Sequence, residues 1–292
     1  MIEGILPPIP TPFSGDDVAY DKLTENVSRW SHTGLSGYVV FGSNGESAYL
    51  TTEEPAVDGT SIEVLDTAEA LMMLAAWART RLDIPVVGVT GSVGKTSTKD
   101  LTAAALAATR RVTANERSFN NEQGLPVTIL GTPADAEVLV VEMGMRGFGE
   151  ITRLCRTARP TIGVVTAVAS SHTGRVGGID GVAVAKRELV EALPTSGTAV
   201  LNADDERVAQ MGAHTPAAVV TYGRAGDVRI SLVELDDLAR PRFRVDSPWG
   251  SGTVRLAVSG AHMASNAAAA LAVTGVVTGS IDAALAALAD AR

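Results

Sequence analysis

The sequence predicts an α/β protein: a doubly wound, mostly parallel sheet with a phosphate-binding loop (P-loop) and a small antiparallel β layer. A partial (β/α)-barrel-like fragment precedes it. Three observations lead there. Val86 to Ser97 reads as a β-branched apolar strand, a glycine-rich turn, and then Lys-Thr opening an Ala/Leu-rich helical stretch, Asp100 to Ala108. Apolar runs at Val138–Val141, Thr161–Val165 and Ala199–Leu201 are separated by helical stretches, as in a parallel sheet. Between Asp227 and Val258 the apolar residues alternate instead (Val228, Ile230, Leu232; Phe243, Val245; Val254, Leu256, Val258), the pattern of antiparallel strands.

Taken in order, Ile2 to Phe13 interleaves proline with apolar residues, and Asp21 to Trp30 has helical amphipathicity. Gly37–Phe41 is a buried-strand pattern running into Gly42-Ser43-Asn44-Gly45-Glu46. Strand, helix and strand with a glycine-rich end is how a (β/α)₈ barrel begins. Two such units cannot close a barrel, so an inert N-terminal piece is the alternative. These residues, 1–54, form the first segment. Residues 55–85 form a linker and helix, with a short strand at Glu63–Asp66 and the helix at Thr67–Leu82. The main domain is 86–292, closing with Ala-rich helices at Ser265–Val273 and Ile281–Ala291.

In the glycine-rich turn, backbone N–H groups at the positive end of the next helix would hold phosphates. Lys95 would reach the β and γ oxygens, and the Thr96 hydroxyl would bind Mg²⁺. The usual first glycine of the G-x-x-x-x-G-K-T pattern is Val89 here. A plain βα turn with a surface lysine is the alternative. Glu142 ends an apolar strand, where a charge is costly unless paired or metal-bound. Asn202 and Asp205 follow another strand, where Asp204 fits a helix cap. His262 and Asn266 share a helix face at i, i+4.

Composition narrows the classes. At 292 residues, 46% apolar and 4% aromatic, the chain has material for about two domains built on Ala, Val and Leu. The net charge is −9, of which residues 1–54 carry −6, so no basic surface for nucleic acid is expected. Cys155 is the single cysteine, which excludes an intrachain disulfide and fits a reducing cytosol. No signal peptide is expected, because the start carries Glu3 and prolines in place of a basic and then apolar stretch. No apolar run approaches the roughly 20 residues of a membrane span, so no membrane insertion is expected.

Two resemblances follow from motifs. Gly4 to Phe13 (G-I-x-P-P-x-x-T-P-F), Gly42 to Glu46 (G-x-x-G-E) and Leu50-Thr51-x-Glu53-Glu54 resemble the opening of the dihydrodipicolinate synthase / N-acetylneuraminate lyase family. There the G-x-x-G-E loop binds a keto-acid carboxylate, so a keto-acid aldolase is one reading. That resemblance stops near Glu54, which implies a fusion. The rest resembles the Mur ligases, ATP-dependent amide-forming enzymes of peptidoglycan synthesis. The motifs are T-G-S-x-G-K-T-S at Thr90–Ser97, S-F-N-N-E-x-G at Ser118–Gly124 and E-M-G-M at Glu142–Met145. They continue with A-K-x-E-L at Ala185–Leu189, L-N-A-D-D at Leu201–Asp205 and G-x-H-x-x-x-N-A at Gly260–Ala267. The S-F-N-N-E loop favours the branch that joins D-alanyl-D-alanine to UDP-N-acetylmuramoyl-tripeptide.

The Mur resemblance implies a central ATP-binding domain using ATP and Mg²⁺, in a cytoplasmic monomer. It assigns nucleotide binding to Thr90, Gly91, Ser92, Val93, Gly94, Lys95, Thr96 and Ser97, with Asn202 near the nucleotide and Asn266 at the adenine. Metal binding falls to Thr96, Glu142, His172 and Lys186, the last as a carbamylated lysine; catalysis falls to Lys95, Lys186 and His172. A salt bridge for Glu142, a solvated helix-face Lys186 and a surface His172 are the alternatives. Asn120 and Asn121 would contact the muramoyl peptide, with a plain loop role as the alternative. One departure stands out: the family's asparagine five residues before the histidine is Ala167 here. The family's flanking domains fall outside the resemblance, which implies impaired ligation by this chain alone. A non-catalytic Mg-ATP-binding module is the remaining alternative.

Overall fold

A computed structural model describes residues 66–115, 119–169 and 176–289, together with residues 13, 14, 17, 18, 22, 25 and 64. Two compact units divide the chain, Met1–Met73 and Leu74–Arg292. In the first, strands β1 (Phe13–Ser14) and β2 (Asp17–Val18) pair antiparallel, a short hairpin that was not anticipated. Lys22 and Glu25 are helical, in line with the amphipathic stretch. The expected strand at Gly37–Phe41 and the loop at Gly42–Glu46 lie outside the described residues. No strand pairs at Val64 or Asp66. Asp66 instead caps helix α1 (Thr67–Arg79), its carboxylate accepting the Glu69 N–H at 2.9 Å.

In the second unit the described residues form one nine-stranded sheet. Its strands are β3 (Val86–Thr90), β4 (Val112–Ala114), β5 (Val138–Glu142), β6 (Ile162–Val165), β7 (Thr198–Asn202), β8 (Ala218–Gly223), β9 (Val228–Leu235), β10 (Pro241–Ser247) and β11 (Gly250–Arg255). The spatial order is β11-β10-β9-β8-β7-β6-β3-β5-β4, parallel from β4 to β9 and antiparallel beyond. The antiparallel strands therefore extend the same sheet and do not form a separate layer. The winding switches sides at β3: β4 and β5 lie to one side, β6 and β7 to the other, leaving the crevice where doubly wound sheets bind ligands.

Helix α2 (Lys95–Ala107) packs with α7 (Met263–Thr278) on one face, where Leu101, Ala105 and Leu106 meet the alanines from Ala264 to Ala272. On the other face lie α4 (Glu150–Ala158) and α5 (Ile179–Glu191). The central strands β3 and β5 are buried along their whole length, which explains their unbroken Val-rich runs. Gly88 and Gly163 pair across β3 and β6, and a Cβ on either would lie 3.0–3.2 Å from Leu189 of α5. Two glycines thus let α5 sink close to the sheet, bringing Lys186, one turn earlier, down with it.

Several expectations are revised. Helix α3 (Gly124–Leu130), which was not anticipated, begins at the last residue of the S-F-N-N-E-x-G motif. The closing helices differ in length: α7 extends to Thr278, and α8 covers only Asp282–Ala287. Helix α4 and strand β8 were not anticipated. Leu232, inward by alternation, is 74% exposed with φ 53°, because a bulge shifts the β9–β10 register between Arg242 and Arg244.

Candidate functional site

The site begins where β3 stops. Thr90 is fully buried and its hydroxyl donates to the Met143 carbonyl at 2.8 Å, tying the loop to the end of β5. A Cβ on Gly91 would overlap the Thr166 hydroxyl, so only glycine fits there. Gly94 has φ 81° as the N-cap of α2, and a Cβ on it would come 2.8 Å from Asn266 Oδ1. The loop is held from β6 as well. Thr166 Oγ1 donates to the Val93 carbonyl at 2.6 Å, and the Ser92 hydroxyl accepts the Ala169 N–H at 2.9 Å. The Ser92 N–H donates to the Ala167 carbonyl at 2.8 Å. That bond uses the main chain, so it survives alanine at 167.

Lys95 folds back over this loop, with Nζ donating to the carbonyls of Gly91 at 3.0 Å and Ser92 at 3.4 Å. The Thr96 hydroxyl donates to Glu142 Oε2 at 2.7 Å. Glu142 is 1% exposed, its other oxygen accepts from Asn120 Nδ2 at 2.7 Å, and its N–H donates to Asn115 Oδ1 at 2.8 Å. Among the described residues it has no cationic partner, so the salt-bridge alternative finds no support there. No group of three His, Cys, Asp or Glu side chains assembles among them either. A buried carboxylate beside a hydroxyl at a helix N-terminus offers hard oxygen donors. That set suits Mg²⁺, which keeps waters and takes its other ligands from a substrate's phosphates.

Lys186 is 3% exposed, not a solvated lysine. Burial, with the Lys95 ammonium adding to it, pushes its pKa down to about 7. His172 lies outside the described residues, as does Ser118 of the S-F-N-N-E loop.

The remaining predicted residues are placed as follows. Val93 and Ser97 are in the loop and the first turn of α2, as expected. Asn266 is buried against Gly94, where the loop meets α2, while His262 is the exposed residue before α7. Asn202 donates to the Thr166 carbonyl at 2.8 Å and accepts the Asp204 N–H at 3.0 Å. The helix cap is Asp205 and not Asp204: Asp205 accepts from Val208 N–H at 3.2 Å and from Val168 N–H at 2.8 Å. Asp204 instead accepts the Arg224 N–H with both oxygens at 2.9 Å.

Asn115 and Thr166 brace the site and were not singled out in the sequence. Thr166 had a signal, a polar residue just past an apolar strand, whereas Asn115 opens a polar run after the mixed strand Val112-Thr113-Ala114 and had none. A cavity of about 740 Å³, lined by Arg79, Cys155, Arg156, Arg159 and Pro194 among others, lies at the opposite, N-terminal ends of β6 and β7, away from the glycine loop.

The comparisons with known proteins agree with this fold. The family model described as Mur ligase middle domain matches residues 89–274. A UDP-N-acetylmuramoyl-tripeptide–D-alanyl-D-alanine ligase of Mycobacterium tuberculosis is 44% identical over 218 residues, covering 74% of this chain and 43% of that protein. The protein of the same name in Escherichia coli is 31% identical over 259 residues, covering 86% of this chain and 56% of that one. The chain thus spans about half the length of these curated relatives. A crystal structure of MurF from Acinetobacter baumannii aligns with TM-score 0.78 at 26% identity, over 98% of this chain and 60% of that one. The lyase-like fusion expected for residues 1–54 is not supported by these matches, which carry nearly the whole chain onto a single MurF.

Proposed function

Because this chain belongs to the Mur ligase family by its middle domain, we propose that it binds Mg-ATP at the glycine loop and serves an amide-forming ligase of peptidoglycan precursor synthesis. The substrates proposed are UDP-N-acetylmuramoyl-tripeptide and D-alanyl-D-alanine, after the names of the relatives that are 31–44% identical. The tripeptide carboxylate would attack the γ-phosphorus of ATP and release ADP. The dipeptide amine would then displace phosphate from the acyl phosphate, losing a proton as the amide forms. Such a reaction belongs in the cytoplasm, where ATP and the nucleotide sugar are present.

The observation that carries the reading is the 2.7 Å contact between the Thr96 hydroxyl and the buried Glu142 carboxylate at the head of α2. Both would hold Mg²⁺, which when bound supplies charge neutralisation for the transferring phosphoryl group. Loop N–H groups would cradle the phosphates, and Lys95 would leave the Gly91 and Ser92 carbonyls to reach them. Lys186, with its pKa near 7, holds a large fraction of neutral amine at neutral pH. A neutral amine can add CO₂ and lose a proton to give a carbamate, an anionic oxygen ligand next to Lys95. This supports the carbamylated role proposed for it.

The test has two arms on the full chain. Calorimetric titration with ADP should show affinity that depends on Mg²⁺. Phosphate release from ATP should require both the muramoyl tripeptide and the dipeptide. Absence of magnesium-dependent affinity would overturn the nucleotide reading. Hydrolysis indifferent to the muramoyl tripeptide would leave a nucleotide-binding module and remove the ligase.

A further inference from the structure

Two adjacent asparagines follow β4 in the S-F-N-N-E loop, and their amides have different partners. Asn121 Oδ1 accepts the N–H groups of Gln123 at 3.1 Å and Gly124 at 2.9 Å, an Asx turn that starts α3. Asn120 turns the other way, its Nδ2 donating to Glu142 Oε1 at 2.7 Å. We propose that Asn120 is a positioning residue that aims the Glu142 carboxylate at the bound cation, while Asn121 only shapes the loop. This rests on the reading of Glu142 as a magnesium ligand.

Glutamate has three side-chain torsions, so a carboxylate anchored at one oxygen can still swing. Here Thr96 engages Oε2 and Asn120 engages Oε1, which fixes the plane of the group. Because an ionised carboxylate only accepts, the asparagine must face it with its NH₂. A neutral amide suits this task better than lysine or arginine. It holds the oxygen without cancelling the charge the cation needs.

Asn120 is itself held. Its carbonyl accepts the Gly144 N–H at 2.8 Å, and a Cβ on Gly144 would come 2.9 Å from Asn120 Oδ1. The amide therefore lies flat on the turn that follows β5. That turn, the loop and the metal carboxylate form one bonded unit, so whatever moves the loop also moves the ligand.

The experiment measures the Mg²⁺ concentration needed for half-maximal binding of a fluorescent ADP, alongside ADP affinity in EDTA. Asn120→Ala and Asn120→Leu, the second keeping the volume, should raise the magnesium requirement about tenfold, as loss of a ligand-orienting partner does. Metal-free affinity should stay within about twofold. Asn121→Ala should lower the melting temperature and leave the magnesium requirement as in wild type. The proposal fails if both Asn120 variants keep the wild-type requirement, if Asn121→Ala raises it equally, or if affinity in EDTA falls in parallel. Should wild type bind ADP without any magnesium dependence, the metal reading of Glu142 and this proposal fall together. Should wild type depend on magnesium and the variants behave like it, only this proposal falls.

Discussion

The two ends of the parallel sheet each bury a cation, and they treat it in opposite ways. At the N-terminal end, Arg79 is 8% exposed and donates to four main-chain carbonyls, those of Leu82, Ile84, Ala158 and Arg159. Two of these end α4, where a cation also meets the negative end of the helix. At the C-terminal end, Lys186 is 3% exposed and has no hydrogen-bond partner among the described residues. Burial depresses both pKa values, and in each a neighbouring cation adds to it: Arg159 beside Arg79, Lys95 beside Lys186. Only arginine stays charged regardless, because its starting value is so high. A buried charge tied wholly to main-chain carbonyls serves the fold. An unbonded one is held ready for a ligand, and the fold carries its cost.

The contrast predicts a large and purely structural effect at one end. Arg79→Leu should lower stability by about 4 kcal/mol, since it strands several carbonyls where water enters poorly. Urea unfolding measures the loss, and the protein that remains folded should bind Mg-ADP as wild type does. A matching fall in affinity would mean that the two ends are not separable.

At the other end, removing the charge should relieve the fold. Unfolded, Lys186 keeps its proton up to about pH 10.5; folded, only to about pH 7. Between those values the unfolded chain holds more protons, so stability rises with pH across that window and the penalty is complete below it. The gain should reach about 3 kcal/mol, less than the full shift because water relaxes around the ammonium. Lys186→Met should remove this slope and be the more stable protein at pH 7. An identical slope in both proteins would show that Lys186 is not the group responsible.

Lys95 lies at the same end but is only half-buried, and its bonds to the Gly91 and Ser92 carbonyls leave one of its three donors over, so its removal should act on ligand and not on fold. Lys95→Ala should weaken Mg-ADP binding about a hundredfold, near 3 kcal/mol, with a melting temperature close to wild type. Wild-type affinity would remove the lysine from the phosphate site.

Which parts of this were legible in the sequence follows from how local their causes are. The glycine loop, its strand and Lys-Thr were readable because strand, turn and helix are neighbours in the chain. Glu142 was readable because a lone acid after four apolar residues has few explanations. The burial of Lys186 was not, since it depends on Gly88 and Gly163, on two neighbouring strands, letting α5 approach. Leu232 looked inward because alternation cannot see the extra residue that β9 carries at Leu232–Val233 opposite Phe243. Strand β8 was missed because its first residues, Ala218 and Val219, are exposed and show no alternation. Asn115 went unnoticed because its bond to the Glu142 N–H joins neighbouring strands that are 27 residues apart in the chain.

The end of β7 is where the division between the two ends is least decided by position alone. Asn202 sits at a strand C-terminus, where ligand groups gather, yet both ends of its amide are already occupied. Nδ2 donates to the Thr166 carbonyl at 2.8 Å, and Oδ1 accepts the Asp204 N–H at 3.0 Å. The residue it supports, Thr166, holds the glycine loop through Val93. By the contrast between Arg79 and Lys186, a polar group whose bonds all go to the main chain, unlike Glu142 with its two side-chain partners, belongs to the fold even at the functional end. Asn202→Ala should therefore cost about 1 kcal/mol of stability, the worth of its hydrogen bonds, and leave Mg-ADP affinity within about twofold. A tenfold loss of affinity at unchanged stability would place the nucleotide on Asn202 and break the rule, because the amide would then have to exchange protein partners for ligand.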